Sequence, residues 1–232
     1  MGLALGVGRA RRTGVAGQLF VELPLRWAER ATRLHASAST PRPRLVLHDY
    51  VRLWPGLLAY ALFGLGYIGY MTFVVAFLWT SNAASIVIQG FWVLLGVCAA
   101  LCGFTWRPLL RWLAPQHALS CMLVALSVGA VLPVLVRAPW SFALSAVLFG
   151  SSFLAVVTAI TAQARRTLPT ERWTMVMGNA TALFALGQLL GPTLTGMITD
   201  TPGGLALGLR ASAVVLGVAA AIALIKPRSE GG

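Results

Sequence analysis

Charge is scarce in this chain of 232 residues: Asp, Glu, Lys and Arg together make up 10% of it, and only 6 residues are acidic. Soluble globular chains carry about 25% charged residues, so this composition cannot supply a water-facing surface for a domain of its size. The 58% of hydrophobic residues needs lipid as its solvent.

The shortage is most severe at membrane depth. Six apolar stretches, at 54–79, 85–105, 118–136, 140–163, 174–198 and 203–225, reach the length of about 20 residues that a helix needs to cross a bilayer. The first five contain no Asp, Glu, Lys or Arg, and the sixth contains Arg210 alone. The histidines (His35, His48 and His117) all fall outside these stretches. Gly150-Ser151-Ser152 therefore lacks the base that an intramembrane serine protease requires. The paired carboxylates of an aspartyl protease are missing as well. Cys98, Cys102 and Cys121 lie inside apolar runs without metal-ligand spacing, so no metal site, cofactor or redox framework is expected. Met1 to Arg12 reaches its arginines without a signal-peptide core. An enzyme is not the expected reading.

What is present points to an all-α polytopic membrane bundle of six transmembrane helices. Lipid cannot satisfy the backbone of an open strand, and barrel strands would read as short alternating segments. Trp54, Trp79, Trp106, Trp140 and Trp173 fall at or beside the predicted ends, where amphipathic rings settle at the headgroup level. Trp92 lies well inside its span. The net charge of +12 would suggest nucleic acid in a soluble protein. Here the cations sit between apolar runs, and topology with lipid headgroup contact is the better reading. Counting Lys and Arg outside the spans and Arg210 gives 16 on the side of the termini against 2 on the other. The expectation is a multi-pass protein of the plasma (inner) membrane with both termini cytoplasmic.

Two segments are expected: a basic N-terminal segment or linker at 1–48, and a six-helix transmembrane domain at 49–232. Arg26, Arg30 and Arg33 share a face at helical spacing after Pro24, which suits an amphipathic helix on the membrane surface. The Ser-Ala-Ser-Thr-Pro-Arg-Pro-Arg run at 37–44 suits a disordered linker instead.

Several motifs stand out within the spans. Gly187-Gln188-Leu189-Leu190-Gly191-Pro192 places two glycines one turn apart, where a neighbouring backbone can approach, and a proline that tends to kink the helix. That combination serves packing or gating. Gly64-Leu65-Gly66-Tyr67-Ile68-Gly69-Tyr70 loosens the first span and presents phenols that want hydrogen-bond partners, from a cavity, a solute or neighbouring helices. Ser151, Ser152 and Thr158 supply hydroxyls that commonly bond back to their own helix. Gln89, Gln163, Asn179 and Gln188 suit interhelical bonds, and Arg210 is shallow enough to snorkel.

These residues resemble the YbfB/YjiJ-type branch of the major facilitator superfamily. The resemblance rests on Tyr60-Ala-Leu-Phe-Gly-Leu-Gly-Tyr67 with Thr72-Phe73, Phe91-Trp92-Val-Leu-Leu-Gly96, Leu148-Phe149-Gly150-Ser151-Ser152-Phe153 and Leu186-Gly187-Gln188-Leu-Leu-Gly191-Pro192, and covers about residues 50–226. It implies the C-terminal six-helix half of a secondary active transporter of a small solute, possessing half of a central cavity. It further implies Tyr67, Tyr70, Thr72, Ser151 and Ser152 as substrate-cavity residues, with Gly64, Gly66, Gly187, Gln188, Gly191 and Pro192 in helix packing or gating. The implied partners are the bilayer, a small-molecule substrate and a second six-helix half. The acidic-glycine-arginine loop pattern frequent in the superfamily is not clear at 106–117. The alternative is a half-size protein acting as a homodimer, with Gly90, Gly96, Gly103, Gly187 and Gly191 at the seam, or as a non-transporting membrane subunit.

Overall fold

The computed structural model describes residues 47–226. The readings made for the N-terminal segment, including the Arg26, Arg30 and Arg33 face, lie outside these residues. Six helices follow one another: α1 Leu47–Thr80, α2 Ser85–Trp112, α3 Pro115–Leu135, α4 Pro139–Thr167, α5 Trp173–Thr199 and α6 Gly204–Ala223, with one 3₁₀ turn at Thr170–Arg172. All six are long and apolar enough to cross a membrane, and no strand occurs among the described residues. The all-α membrane bundle is therefore the fold.

Helix ends lie further out than hydropathy suggests. α1 begins at Leu47 rather than 54, and α2 continues to Trp112 rather than stopping at 105. Hydropathy marks where the hydrocarbon ends, whereas a helix goes on satisfying its own backbone beyond that boundary. Arg52, Arg107 and Arg111 are accordingly helical residues, and the connection between α2 and α3 shrinks to Leu113 and Ala114. Pro115 and Pro139 open α3 and α4, at positions where the missing N–H would be unsatisfied anyway. α5 runs through Pro192 without a break.

The packing order departs from the chain order. α1 packs along α5 and α6, while α4 packs along α2 and α3. The two groups meet through α3 against α6 and, more lightly, α1 against α4. Exchanging α1–α2–α3 with α4–α5–α6 leaves this pattern unchanged. The bundle thus consists of two three-helix repeats, each lending its first helix to the other. Three crossings per repeat reverse its direction, so the repeats are inverted, an arrangement common in transporter folds.

Small residues let the exchanged helices approach. A side chain at Gly64 would put its first carbon 2.5 Å from the Phe184 carbonyl oxygen, and one at Gly191 would lie 2.7 Å from that of Leu65. Gly187 faces the Ala61 carbonyl and the Leu65 amide nitrogen. The equivalent α2–α4 contact uses Gly150, where a first carbon would lie 3.0 Å from the Leu95 Cα. Lipid gives helices no hydrophobic reason to associate, so such close approach supplies the van der Waals contact that holds them. Across the α3–α6 seam Ser120 donates to the Ala220 carbonyl at 2.8 Å and Ser127 to that of Ala213 at 2.7 Å.

The two ends of the bundle differ in charge. Arg52, Arg107, Arg111, Arg165, Arg166, Arg172 and Lys226 lie toward the end where α1 starts and α6 finishes; Arg137 and Arg210 lie toward the other. At the basic end Arg172 donates to both carboxylate oxygens of buried Asp49 at 2.9 Å, tying the start of α5 to the start of α1. Arg165 covers the Trp173 ring at 5.2 Å. At the far end Arg137 lies 5.6 Å over Phe77.

Gly187→Leu should lower stability by about 1–3 kcal/mol through overpacking, read as a drop in the thermal midpoint of the detergent-solubilised protein. Gly90→Ala, where a first carbon meets nothing within 4 Å, should leave the midpoint unchanged or raise it. Equal loss in both variants would contradict the packing described.

Candidate functional site

Where the two repeats exchange helices, aromatic rings collect. Tyr60, Phe63 and Tyr67 recur on one face of α1; Phe149 and Phe153 are one turn apart on α4; Phe184 comes from α5. Tyr67 joins all three helices, with ring centroids 5.6 Å from Phe153, 6.1 Å from Phe149 and 6.3 Å from Phe184. The Tyr67 and Phe153 rings are nearly parallel, at 11°. Stacks of this kind add about 0.5–1.5 kcal/mol per pair beyond the area they bury. Phe153 is 14 residues from each end of α4 (139 to 153 and 153 to 167), about 21 Å at 1.5 Å per residue, so the cluster sits near the middle of the crossing.

The hydroxyls nearby have different fates. Tyr70 is fully buried and shares a 2.6 Å hydrogen bond with Ser145 Oγ. Ser145 donates its own proton to the Gly129 carbonyl at 2.5 Å, so the Tyr70 hydroxyl is the donor to Ser145. The chain α1–α4–α3 is closed by these two bonds. Tyr67, one turn earlier, is half-buried, and its hydroxyl makes no hydrogen bond among the described residues. Thr72 is exposed and donates to the Ile68 carbonyl at 2.8 Å. Ser151 is half-buried and bonds to the Leu148 carbonyl at 3.3 Å, while its own carbonyl accepts the Trp106 indole N–H at 2.8 Å. Ser152 is fully buried, with no partner for its hydroxyl.

Of the five residues named for a cavity, then, Tyr67, Thr72 and Ser151 reach a surface in this conformation, and Tyr70 and Ser152 are set into helix interfaces. Phe149, Phe153 and Phe184 belong to the cluster, and none of them is among the site residues expected from the sequence. Their signal there is slight, an aromatic beside the small residues of each exchange contact. Among the amides, Asn179 donates to the Tyr50 hydroxyl at 2.5 Å, Gln163 packs on Gly56 with its Oε1 buried and unpartnered, Gln89 is exposed and Gln188 is half-buried. Arg210 is exposed one turn and a half into α6.

α2 and α5 stand apart from the other helices. Only 17% of the apolar core of each is buried, against 39–56% in the other four. Each has three faces. On α2, Ile88, Phe91 and Leu95 are packed; Ile86, Val93, Val97 and Phe104 are exposed; and Ser85, Gln89 and Gly96 form a separate exposed strip that also carries the Trp92 ring. On α5, Val176, Ala180 and Gly187 are packed; Met175, Leu186, Leu189 and Met197 are exposed; and Thr174, Gly178, Thr181 and Ala185 make the matching strip. The glycines of the α5 seam considered for a homodimer, Gly187 and Gly191, are covered by α1 of the same chain. Gly90, Gly96 and Gly103 on α2 remain open.

Inverted three-helix repeats, with aromatic and hydroxyl side chains near mid-membrane, make this a polytopic helical membrane protein. A family model described as "Uncharacterised MFS-type transporter YbfB" matches residues 11–224. The chain belongs to that family, and so is a multi-pass protein of membrane transport within the major facilitator group. The family is one of transporters, which is not an enzyme class. The match starts at residue 11, well before the point near residue 50 where the motif resemblance begins. No curated protein and no solved structure matched the chain.

Ser145→Ala should cost about 1–3 kcal/mol, because it strands the buried Tyr70 donor and the Gly129 carbonyl. Tyr70→Phe keeps the Ser145 bond to Gly129 and should cost only about 0.6 kcal/mol, a typical value for an interhelical bond in a membrane. Denaturation in mixed micelles measures both, and the reverse order would refute the assigned donor.

Proposed function

We propose that residues 47–226 form one six-helix half of a secondary active transporter for a small solute, with the Tyr67 face as this half's share of the substrate path. The observation that carries the reading is the paired exposure of α2 and α5. Strips of glycine, alanine, serine, threonine and glutamine, with Trp92 among those of α2, face away from the bundle beside a mainly apolar face. Lipid accounts for the apolar faces; the small-residue strips suit close contact with other helices. A second six-helix unit meeting both strips would enclose Tyr67, Phe153 and Phe184 between the two units, near the midplane where transporter sites lie.

In this arrangement Tyr67 offers the solute a ring face and a free phenol, and Ser151 and Thr72 offer hydroxyls at the margin. Gly64, Gly187 and Gly191 belong to the contact along which α1 and α5 slide or hold, with Gln188 and Pro192 beside it on α5, while Gly66 packs α1 against Ser212 and Leu216 of α6. The apolar segments carry no carboxylate, so a proton-coupling acid would come from the second unit. The basic end faces the cytoplasm of the inner membrane, by the excess of arginine there. The second unit is a different half or a second copy. For a second copy the open Gly96 face of α2 offers a seam, whereas Gly187 and Gly191 are covered by α1.

Membrane vesicles from cells producing the chain would be screened with a panel of labelled small solutes for gradient-driven accumulation. For the solute that accumulates, Tyr67→Ala at equal membrane abundance should lower flux about tenfold, the scale of one lost aromatic contact, and Tyr67→Phe should lower it less. Unchanged flux in Tyr67→Ala contradicts the placement of the substrate path.

A further inference from the structure

At the basic end, α2 and α4 leave an open groove of about 240 Å³ between them. Its walls are apolar or small: Cys102, Gly103 and Leu110 on α2, Ala155 and Thr158 on α4. Trp106 also lines it, and the indole is fixed there by its bond to the Ser151 carbonyl. Gly103 keeps the groove open, since a first carbon there would meet nothing within 4 Å.

The mouth is cationic. Arg107 and Arg111 line the groove, are four residues apart and therefore one turn apart on one side of α2, and are both exposed. Neither has a carboxylate partner among the described residues. Arg172 and Arg165 at the same end are engaged, by Asp49 and by the Trp173 ring.

Depth matches a headgroup. α2 has 28 residues, about 42 Å at 1.5 Å per residue, against a hydrocarbon core of about 30 Å. Its apolar run starts at once with Ile86, so the surplus of roughly 12 Å, about eight residues, falls at the other end. Arg107 and Arg111 are within that surplus and Cys102 is below it. An apolar slot capped by two guanidinium groups at headgroup depth is complementary to an amphiphile bearing a phosphodiester. Guanidinium forks pair with phosphate oxygens bidentately.

We propose that this groove binds one anionic phospholipid, its phosphate held between Arg107 and Arg111 and the upper part of an acyl chain lying along Gly103 and Ala155. The lipid fastens the end of α2 to α4 and is independent of what the protein transports.

The test uses the full chain, delipidated in detergent and titrated with phosphatidylglycerol while native mass spectrometry counts bound lipid. Phosphatidylcholine with the same acyl chains and inorganic phosphate serve as competitors. One phosphatidylglycerol per chain should be retained, displaced poorly by either competitor. Arg107→Gln with Arg111→Gln should weaken it about thirtyfold, from the contribution of each cation near a lipid surface. Gly103→Leu, which fills the slot and keeps both arginines, should weaken it as well and decides the matter if the double variant fails to fold. Arg165→Gln with Arg166→Gln should leave it unchanged. Equal retention in the groove variants overturns the proposal, as does equal loss in the Arg165 and Arg166 variant, which would mean diffuse attraction. Displacement by inorganic phosphate alone, or an acidic protein segment co-purifying on the two arginines in place of lipid, overturns it too.

Discussion

The close approach of α1 to α5 at Gly64, Gly187 and Gly191 is the contact on which the rest of the bundle depends. In lipid there is no gain in hiding leucine from its surroundings, so helices are held by how near their backbones can come. Gly150 against Leu95 repeats the device between α4 and α2. These two contacts make each three-helix repeat lend its first helix to the other. The exchange puts α1 and α4 on the inside, gathers Tyr67, Phe149, Phe153 and Phe184 where they meet, and leaves α2 and α5 with one packed face apiece. Ser145, between Tyr70 and the Gly129 carbonyl, and the two serine bonds across α3 and α6 then fix the register with polar atoms that lipid cannot satisfy.

Much of the fold is legible from composition alone. A residue run such as 118–136, with no charge and a proline just before it, has one stable form in a bilayer, and six such runs give six helices. What hydropathy cannot locate is the far end of a helix that has left the hydrocarbon, which is why Arg107 and Arg111 read as loop residues and are helical. The site was only partly legible. Tyr67 and Tyr70 are one turn apart in the same motif and look equivalent in sequence. They are separated by Ser145, 75 positions away from Tyr70, and nothing local announces that partner. Phe184 is equally silent, because its role comes from where α5 crosses α1. The α2–α4 exchange contact at Gly150 lies inside the Gly-Ser-Ser motif, where the hydroxyls draw notice first.

Function follows from the same geometry. The repeats satisfy each other's small-residue faces through Gly187 and Gly150. α2 and α5 also carry a second set of strips, small and polar apart from Trp92 and distinct from the faces that suit lipid. The chain belongs to a transporter family, and under the proposed function these strips are the walls against which a second six-helix unit closes around Tyr67.

The most direct test of that claim is cysteine cross-linking in native membranes, with Cys98, Cys102 and Cys121 replaced by alanine. Single cysteines would be placed at Gly96 and Ala185 on the strips, and at Val97 and Leu186 on the apolar faces beside them. The account predicts covalent adducts to a second six-helix unit from Gly96→Cys and Ala185→Cys, and none from Val97→Cys or Leu186→Cys. Adducts from the apolar positions alone, or from none of the four, would contradict it.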